Sequence, residues 1–202
     1  MGSTERRAIH RLTSQKTVLL LCDIQEAFRA PVAHFAEIVE VSKQLLSAFI
    51  VLGMKVIATE QYPKGLGRTV QELEIEKHPV TVFEKKKFSM CIPPVIAEIG
   101  DHYDSAVLCG VESHVCVLHT AFDLLERGIH VYVVANAVSS RSKTDRFFAL
   151  RQLEKAGAVV TTSECVILGL IGGADHPKFK EIQAIIKTPA PDTGLYPAFS
   201  CQ

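Results

Sequence analysis

Three residues of this 202-residue chain pair reactive side chains with positions where a fold can gather them: Asp23, Lys85 and Cys116. A thiol attacks only as its thiolate, so Cys116 needs a base to take its proton and positive charge nearby to hold the anion. A carboxylate such as Asp23 can be that base, and an ammonium such as Lys85 can supply the charge. Singly, each has a plainer reading. A free cysteine is most often a small buried hydrophobe, an Asp at a strand end is a turn residue, and one lysine of Lys85-Lys86-Lys87 is a solvated charge. Placement decides between the readings: Asp23 and Lys85 each follow a short apolar run, and Cys116 opens the helical pattern after another.

Those runs are the elements that must position the three. Thr17 to Cys22 is apolar on both faces, as a central parallel strand must be. Ile38, Val41, Leu45, Phe49 and Leu52 recur at three- and four-residue steps before Gly53, which is an amphipathic helix with a glycine stop. Further strands are expected over Lys55–Thr59, Val80–Phe83, Ser105–Cys109, Ile129–Ala135 and Ala158–Thr161. Helices are expected from Pro93 to Ile99, His114 to Arg127, Asp145 to Ala156, Cys165 to Ile171 and Lys178 to Lys187. This alternation predicts an α/β fold, a three-layer α/β/α sandwich on a six-stranded parallel sheet. With strand order 3-2-1-4-5-6, strands one and four flank the switch point, where such sheets bind ligands. Asp23 and Cys116 then face each other across it. Lys85 starts two strands away, about 10 Å at the usual strand spacing. Cys116 would also lie at a helix N-terminus, whose free N–H groups favour a thiolate and can hold an oxyanion.

Composition narrows the classes. Hydrophobic residues at 48% and charged residues at 22% describe an ordinary globular chain and exclude disorder. Lys+Arg and Asp+Glu balance at 22 each, which removes the basic excess of a nucleic-acid binder. No apolar stretch approaches the roughly 18 residues of a membrane helix, so neither nucleic acid nor membrane is expected as a partner. The six cysteines form no C-x-x-C pair, which suits reduced thiols and a cytoplasmic protein. The basic Arg6-Arg7…Arg11 stretch makes mitochondrial targeting the alternative. Residues 1–14 read as an extension, 15–187 as the domain and 188–202 as an irregular tail.

Asp23-Ile24-Gln25 with Phe28, Lys85-Lys86-Lys87-Phe88-Ser89 and Gly110-Val111-Glu112-Ser113-His114-Val115-Cys116-Val117 resemble, in order and spacing, the Asp, Lys and Cys motifs of the isochorismatase-like cysteine hydrolases. The resemblance runs from about Val18 to Gly169. Thr59-Glu60-Gln61-Tyr62-Pro63 and Gly65-Leu66-Gly67 are similar to the eukaryotic isochorismatase domain-containing subgroup. It implies Cys116 as nucleophile, Asp23 as the base, Lys85 as the group that stabilises the charged pair, a cis peptide between Val111 and Glu112, and an oxyanion site at the N–H groups of Glu112 and Cys116. Nicotinamidases of the family bind metal through Asp-x-His after strand two. Glu60-Gln61-Tyr62-Pro63 stands there instead, so the resemblance implies no metal and no cofactor. True isochorismatases work without a cysteine nucleophile, so Cys116 separates this chain from them too.

Gln25, Phe28, Glu60 and Tyr62 are expected to line the substrate pocket, and Ser113 to cap the helix. His114 is expected beside the site and not in the chemistry. Cys22 and Cys109 read as packing residues, and Cys91 as a thiol open to oxidation. The expectation is a metal-independent hydrolase of a small amide or related C–N bond, working through a thioester on a small-molecule substrate and assembling as a homo-oligomer. Two rivals stand beside it: a family member of minor activity acting through protein interaction, and a ribonuclease, which the neutral charge and absence of Trp disfavour.

Overall fold

The computed structural model describes residues 10–193. The basic Arg6-Arg7 pair expected as a targeting signal, and Cys201 in the tail, lie outside them.

Strand β1, Thr17–Cys22, is buried along its whole length. Six consecutive residues with no exposed face suit only a central strand covered on both sides. Burial of a leucine such as Leu19, Leu20 or Leu21 stabilises by about 1.5–3 kcal/mol. The chain continues through α1 (Phe35–Val51), β2 (Val56–Gln61), the short α2 (Pro63–Leu66), β3 (Val80–Lys85) and α3 (Pro93–Ile99). It then forms β4 (Ser105–Val111), a π turn at Ser113–Val117, α4 (Leu118–Glu126), β5 (His130–Ser139) and α5 (Lys143–Ala156), and ends with β6 (Val159–Thr161), α6 (Ser163–Ile171) and α7 (Phe179–Ile186).

All six strands pair in parallel in the order β3-β2-β1-β4-β5-β6. Helices α1, α6 and α7 pack together on the sheet, and α4 and α5 form a second group. This is the three-layer sandwich and the strand order expected. Crossovers run one way from β1 to β3 and the other way from β4 to β6, so a crevice opens beyond the carboxyl ends of β1 and β4.

The sheet differs from expectation at its carboxyl ends. β2 runs to Gln61, β3 to Lys85 and β5 to Ser139, each beyond its apolar run. These extensions are polar or small residues whose ladder partners hold them extended, which an apolar pattern cannot reveal. The register between β4 and β5 shifts between Leu108 and Gly110, so Gly110 pairs with Val138 and Val111 with Ser139. Gly110 has φ +118°, and a Cβ there would sit 2.0 Å from the carbonyl oxygen of Cys22. Only glycine lets β1 and β4 approach this closely at the switch point.

The helix expected from His114 to Arg127 is two pieces, the π turn and α4. Ser113 does not cap it: its buried Oγ has no partner among the described residues. The wider π turn moves the N–H groups away from the Ser113 side chain, and the Glu112 carbonyl accepts from Val115 N and Val117 N at 3.1 and 3.2 Å instead. Cys91 is buried, not open to oxidation, because the segment before α3 packs against α4.

Candidate active site

Asp23 is the first residue after β1 and is completely buried. Its backbone sits at φ +51°, a left-handed conformation that costs a non-glycine residue on the order of 1–3 kcal/mol. The turn is held by Asp23 N donating to Thr59 O at 3.2 Å and Gln25 N donating to Asp23 O at 2.8 Å. The carboxylate therefore points into the crevice. Its Oδ1 accepts from Thr59 Oγ1 at 2.8 Å and its Oδ2 from Lys85 Nζ at 2.7 Å. The Cys22 thiol lies 3.7 Å from Oδ2, and Cys116 is among the neighbours that favour the charged form of this carboxyl.

Lys85 arrives from the end of β3 with a fully buried side chain. Its ammonium donates to Asp23 Oδ2, to Gln61 Oε1 at 2.8 Å, to Phe88 O at 2.8 Å and to Lys87 O at 3.2 Å. Three N–H bonds face four acceptors, so no proton is spare for a substrate. Lys85 is a fixed charge, not a proton donor. Burial pulls its pKa down, but the facing Cys22, Asp23 and Cys116 outweigh that and raise it. Burial pushes the Asp23 carboxyl up, against the opposing pull of Lys85. A carboxyl so raised is better matched to taking and returning a proton near neutral pH.

Cys116 lies in the π turn and is buried, with 5% of its surface exposed. The Val111–Glu112 peptide is cis. The Cys116 carbonyl accepts from Thr120 Oγ1 at 2.6 Å, and that hydroxyl accepts from Met90 N at 2.8 Å. The cysteine turn and the lysine loop are thus joined through Thr120. Glu112 and Arg141 form a bidentate pair, and His114 Nδ1 lies 3.0 Å from Ser140 Oγ.

The residues expected to line the pocket divide. Gln25 is buried, and its amide clasps the Gln61 backbone, accepting from Gln61 N at 2.7 Å and donating to Gln61 O and Gly67 O. Glu60 is buried and accepts from Thr69 N, Thr69 Oγ1 and Arg68 Nη1 at 2.8–2.9 Å. Both side chains therefore anchor the segment between β2 and β3 across the end of β1. Phe28 is half-buried against the core. Tyr62 is half-exposed and lines a cavity of about 320 Å³ with Pro63, Lys64, Glu84, Lys85 and Lys86.

Thr59, Gln61 and Thr120 touch the central groups; Thr59 and Gln61 stand in the subgroup motif without a role read for them, and Thr120 stands in none. Alternation along β2 was the available signal: once Glu60 faces Thr69, Thr59 and Gln61 must face Asp23 and Lys85. Thr120 follows Cys116 by one helical turn. With Gln61 bonded to Lys85 and Glu60 to Arg68 and Thr69, the segment after β2 does not fit a metal. Among the described residues no group of three or more His, Cys, Asp or Glu is placed to hold one.

Loss of the Glu60 carboxylate strands the Thr69 N–H, so Glu60→Ala should destabilise the segment by about 1–3 kcal/mol. Faster hydrogen exchange at the Thr69 amide would show it, and unchanged protection would refute it. Burial raises the Glu60 pKa, but its hydrogen bonds with Thr69 and Arg68 together lower it below 4.5. A depressed folded pKa gives stability that is present above the unfolded value and lost as pH falls through the folded one. The protection of the Thr69 amide, its exchange corrected for the intrinsic rate at each pH, should therefore fall in wild type as pH drops through the depressed folded value of Glu60.

The comparisons bear on this geometry. The family model described as "Isochorismatase domain" matches residues 17–165. The chain belongs to the isochorismatase family. "Isochorismatase domain-containing protein 2" of Xenopus laevis is 50% identical over 195 residues, covering 96% of this chain and 94% of that protein. "Isochorismatase domain-containing protein 1" of Salmo salar is 47% identical over 194 residues, covering 95% and 68%. A solved structure described as the MAR1 ribonuclease from Caenorhabditis elegans superposes with TM-score 0.90 at 52% identity, covering 93% of this chain and 98% of that one. The eukaryotic subgroup resemblance of this isochorismatase-family chain is therefore established.

Thiol access gives a further test within this isochorismatase-family site. Burial raises the pKa of Cys22 and Cys91 and pushes Cys109 up to about 12, so these thiols stay protonated. Cys165 is exposed. Brief iodoacetamide treatment is expected to label Cys165 without loss of activity, and inactivation should follow labelling of Cys116. Peptide mapping against residual activity decides this. Inactivation that tracks Cys165 would overturn it.

Proposed function

We propose that this chain is a hydrolase of small amides or related C–N bonds that works through a thioester on Cys116. The observation that carries the reading is the sealed Asp23–Lys85 pair, both side chains fully buried, with the buried Cys116 close enough to act on the charge of both groups. A buried salt bridge is weak evidence for stability alone, so its retention beside a thiol is better explained by chemistry.

In the proposed cycle Asp23 takes the Cys116 proton as sulfur attacks the substrate carbonyl. Lys85 keeps the developing anions neutralised. The N–H groups of Glu112 and Cys116 hold the oxyanion. Collapse breaks the C–N bond, and Asp23 returns its proton to the leaving nitrogen. Asp23 then deprotonates a water, which attacks the thioester and frees acid and thiol. Each step uses one proton at one carboxyl, so the enzyme returns to its starting state. No step draws on a metal. Residues 15–187 would form the hydrolase unit, and a homo-oligomer is part of the same reading.

The ribonuclease description of the Caenorhabditis elegans structure supports a second reading, phosphodiester cleavage at this crevice. Against it, Lys85 has every ammonium proton engaged and cannot itself meet a phosphate, so that reading would have to rest on Lys64 and Lys86 at the cavity wall.

The deciding experiment is an acyl trap. The protein is mixed with a panel of small amides and with 4-nitrophenyl acetate, quenched in acid and mapped by mass spectrometry. The expected result is an acyl adduct on Cys116, absent in Cys116→Ser. Parallel incubation with a single-stranded RNA tests the rival: RNA cleavage that survives Cys116→Ser, with no acyl adduct on any substrate, would overturn the proposal.

A further inference from the structure

We infer that the Glu112 side chain, clamped by Arg141, is a positioning residue that sets the oxyanion N–H groups of the nucleophile turn. The inference rests on the hydrolase reading above and adds a function for a carboxylate that takes no part in the proposed proton transfers.

The Glu112 side chain is only 5% exposed, yet four hydrogen bonds converge on it. Arg141 N donates to Oε2 at 2.9 Å, Arg141 Nε reaches both oxygens at 3.1 and 3.2 Å, and Arg141 Nη2 meets Oε1 at 2.6 Å. Arg141 lies in the loop between β5 and α5, and its side chain is 63% exposed. The partner is thus a surface residue reaching in, and the anchored group belongs to the residue whose N–H holds the oxyanion in the proposed cycle. The other end of Glu112 is committed too, because its carbonyl accepts from Val115 N and Val117 N and so shapes the turn that carries Cys116. A second tie, His114 to Ser140, fastens the same turn to the same loop. On the opposite side Thr120 fastens Cys116 to the lysine loop.

The nucleophile turn, which follows β4, is therefore held between two loops that leave β5 and β3 on opposite sides of the crevice. The Glu112 fork resists rotation, because a planar guanidinium fixes a carboxylate in two directions at once. An uncharged side chain of similar size would fill the space without that constraint. Arg141 also outweighs the burial that would otherwise raise the Glu112 pKa, so the carboxylate stays charged and the fork stays closed.

Misplacement of oxyanion donors lowers acyl transfer, whereas alkylation of the thiol by iodoacetamide forms no oxyanion and needs none of them. The test uses the full chain with 4-nitrophenyl acetate, comparing wild type, Glu112→Gln, Arg141→Ala, Arg141→Lys and Cys116→Ser. Arg141→Ala and Glu112→Gln are expected to lower kcat by about 10- to 100-fold with KM within about 2-fold. The rate of Cys116 alkylation should stay within about 2-fold of wild type. Arg141→Lys, which keeps the charge and loses the fork, should remain near the alanine variant. Because Arg141 is largely exposed, its variants should fold. Wild-type kcat in Arg141→Ala, full recovery in Arg141→Lys, or alkylation that falls in step with kcat each overturns the positioning role. Full activity in Cys116→Ser overturns the hydrolase reading and this inference together, whereas an inactive Cys116→Ser beside a fully active Arg141→Ala overturns this inference alone.

Discussion

Lys85→Ala should lower kcat toward a small amide or 4-nitrophenyl acetate by about 100-fold or more, the scale of losing one electrostatic group in an active site. The ammonium is bonded to Asp23, Gln61 and two carbonyls, and its side chain has no exposed surface. Its removal leaves a buried carboxylate without its cation, which destabilises the fold by about 3–5 kcal/mol. That is a large share of an ordinary domain's stability, so a control must separate unfolding from lost chemistry. The double variant Asp23→Asn/Lys85→Met removes both charges and should regain much of the stability but none of the activity.

Lys86→Ala and Lys87→Ala should stay close to wild type. Lys87 pairs with Asp123 at the surface, where such pairs contribute about 0–1 kcal/mol. The pH behaviour follows from the shift on Lys85. A lysine raised in the folded state contributes stability that is present below its unfolded value and lost only as pH rises through the folded one. The lysine end of the pair therefore stays charged throughout the neutral range, and its loss belongs above about pH 10.5. Steady-state rates with urea unfolding of each variant check these statements. Wild-type turnover in Lys85→Ala, or a severe defect in Lys86→Ala, would show that the wrong lysine has been placed at the centre.

Gly110→Ala should damage the fold more than any other small substitution in the sheet. Its Cβ would stand 2.0 Å from the Cys22 oxygen, 2.8 Å from the Cys22 carbon and 2.9 Å from its nitrogen, all backbone atoms of the central strand. No side-chain movement relieves that contact, and φ +118° is itself closed to alanine. A cost above about 4 kcal/mol is expected, equivalent to a fall in Tm of roughly 8–16 °C for a chain of this size. Separation of β1 from β4 also moves Asp23 from Cys116, so activity should fall with stability. Gly169→Ala is the matched control: no atom lies within 4 Å of a Cβ there, and its place inside α6 should make alanine neutral or stabilising by up to about 1 kcal/mol. Thermal melting of the two variants decides the matter. A Gly110→Ala protein that melts within 2 °C of wild type would mean that β1 and β4 do not meet this closely.

Much of the architecture was legible because burial on both faces leaves a plain mark. Thr17–Cys22 has no polar residue to spare beyond its first, and Ile38 to Leu52 keeps one apolar face, so a strand and the helix covering it followed from types and spacing alone. The order of six such units then limited the topology to very few arrangements. Where strands outlast their apolar runs, the pattern was silent. Glu60 and Gln61 continue β2, and Asn136 to Ser139 continue β5, because the ladder of a neighbouring strand holds them extended.

The chemistry divides along the same line. The sequence alone singled out three side chains of suitable chemistry, Asp23, Lys85 and Cys116, and put each at or just beyond the carboxyl end of a strand, since strand ends are written in local hydrophobicity. Tertiary structure decided what those groups meet. Gln25 and Glu60 read as pocket residues, yet their polar ends are taken by Gly67, Gln61, Thr69 and Arg68, a segment whose path no local pattern encodes. No role at the site was read for Thr59, Gln61, Thr120 or Arg141; one helical turn brings Thr120 to Cys116, whereas strand pairing brings Thr59 and Gln61 to Asp23 and Lys85, and the loop after β5 brings Arg141 to Glu112. Local preferences act over one or two turns of chain, whereas these hydrogen bonds join residues 24 to 36 positions apart across the sheet, or 29 apart between the nucleophile turn and the next loop. Such partners are chosen by geometry after the chain has folded, and so the sequence names the reactive groups while the fold supplies their environment.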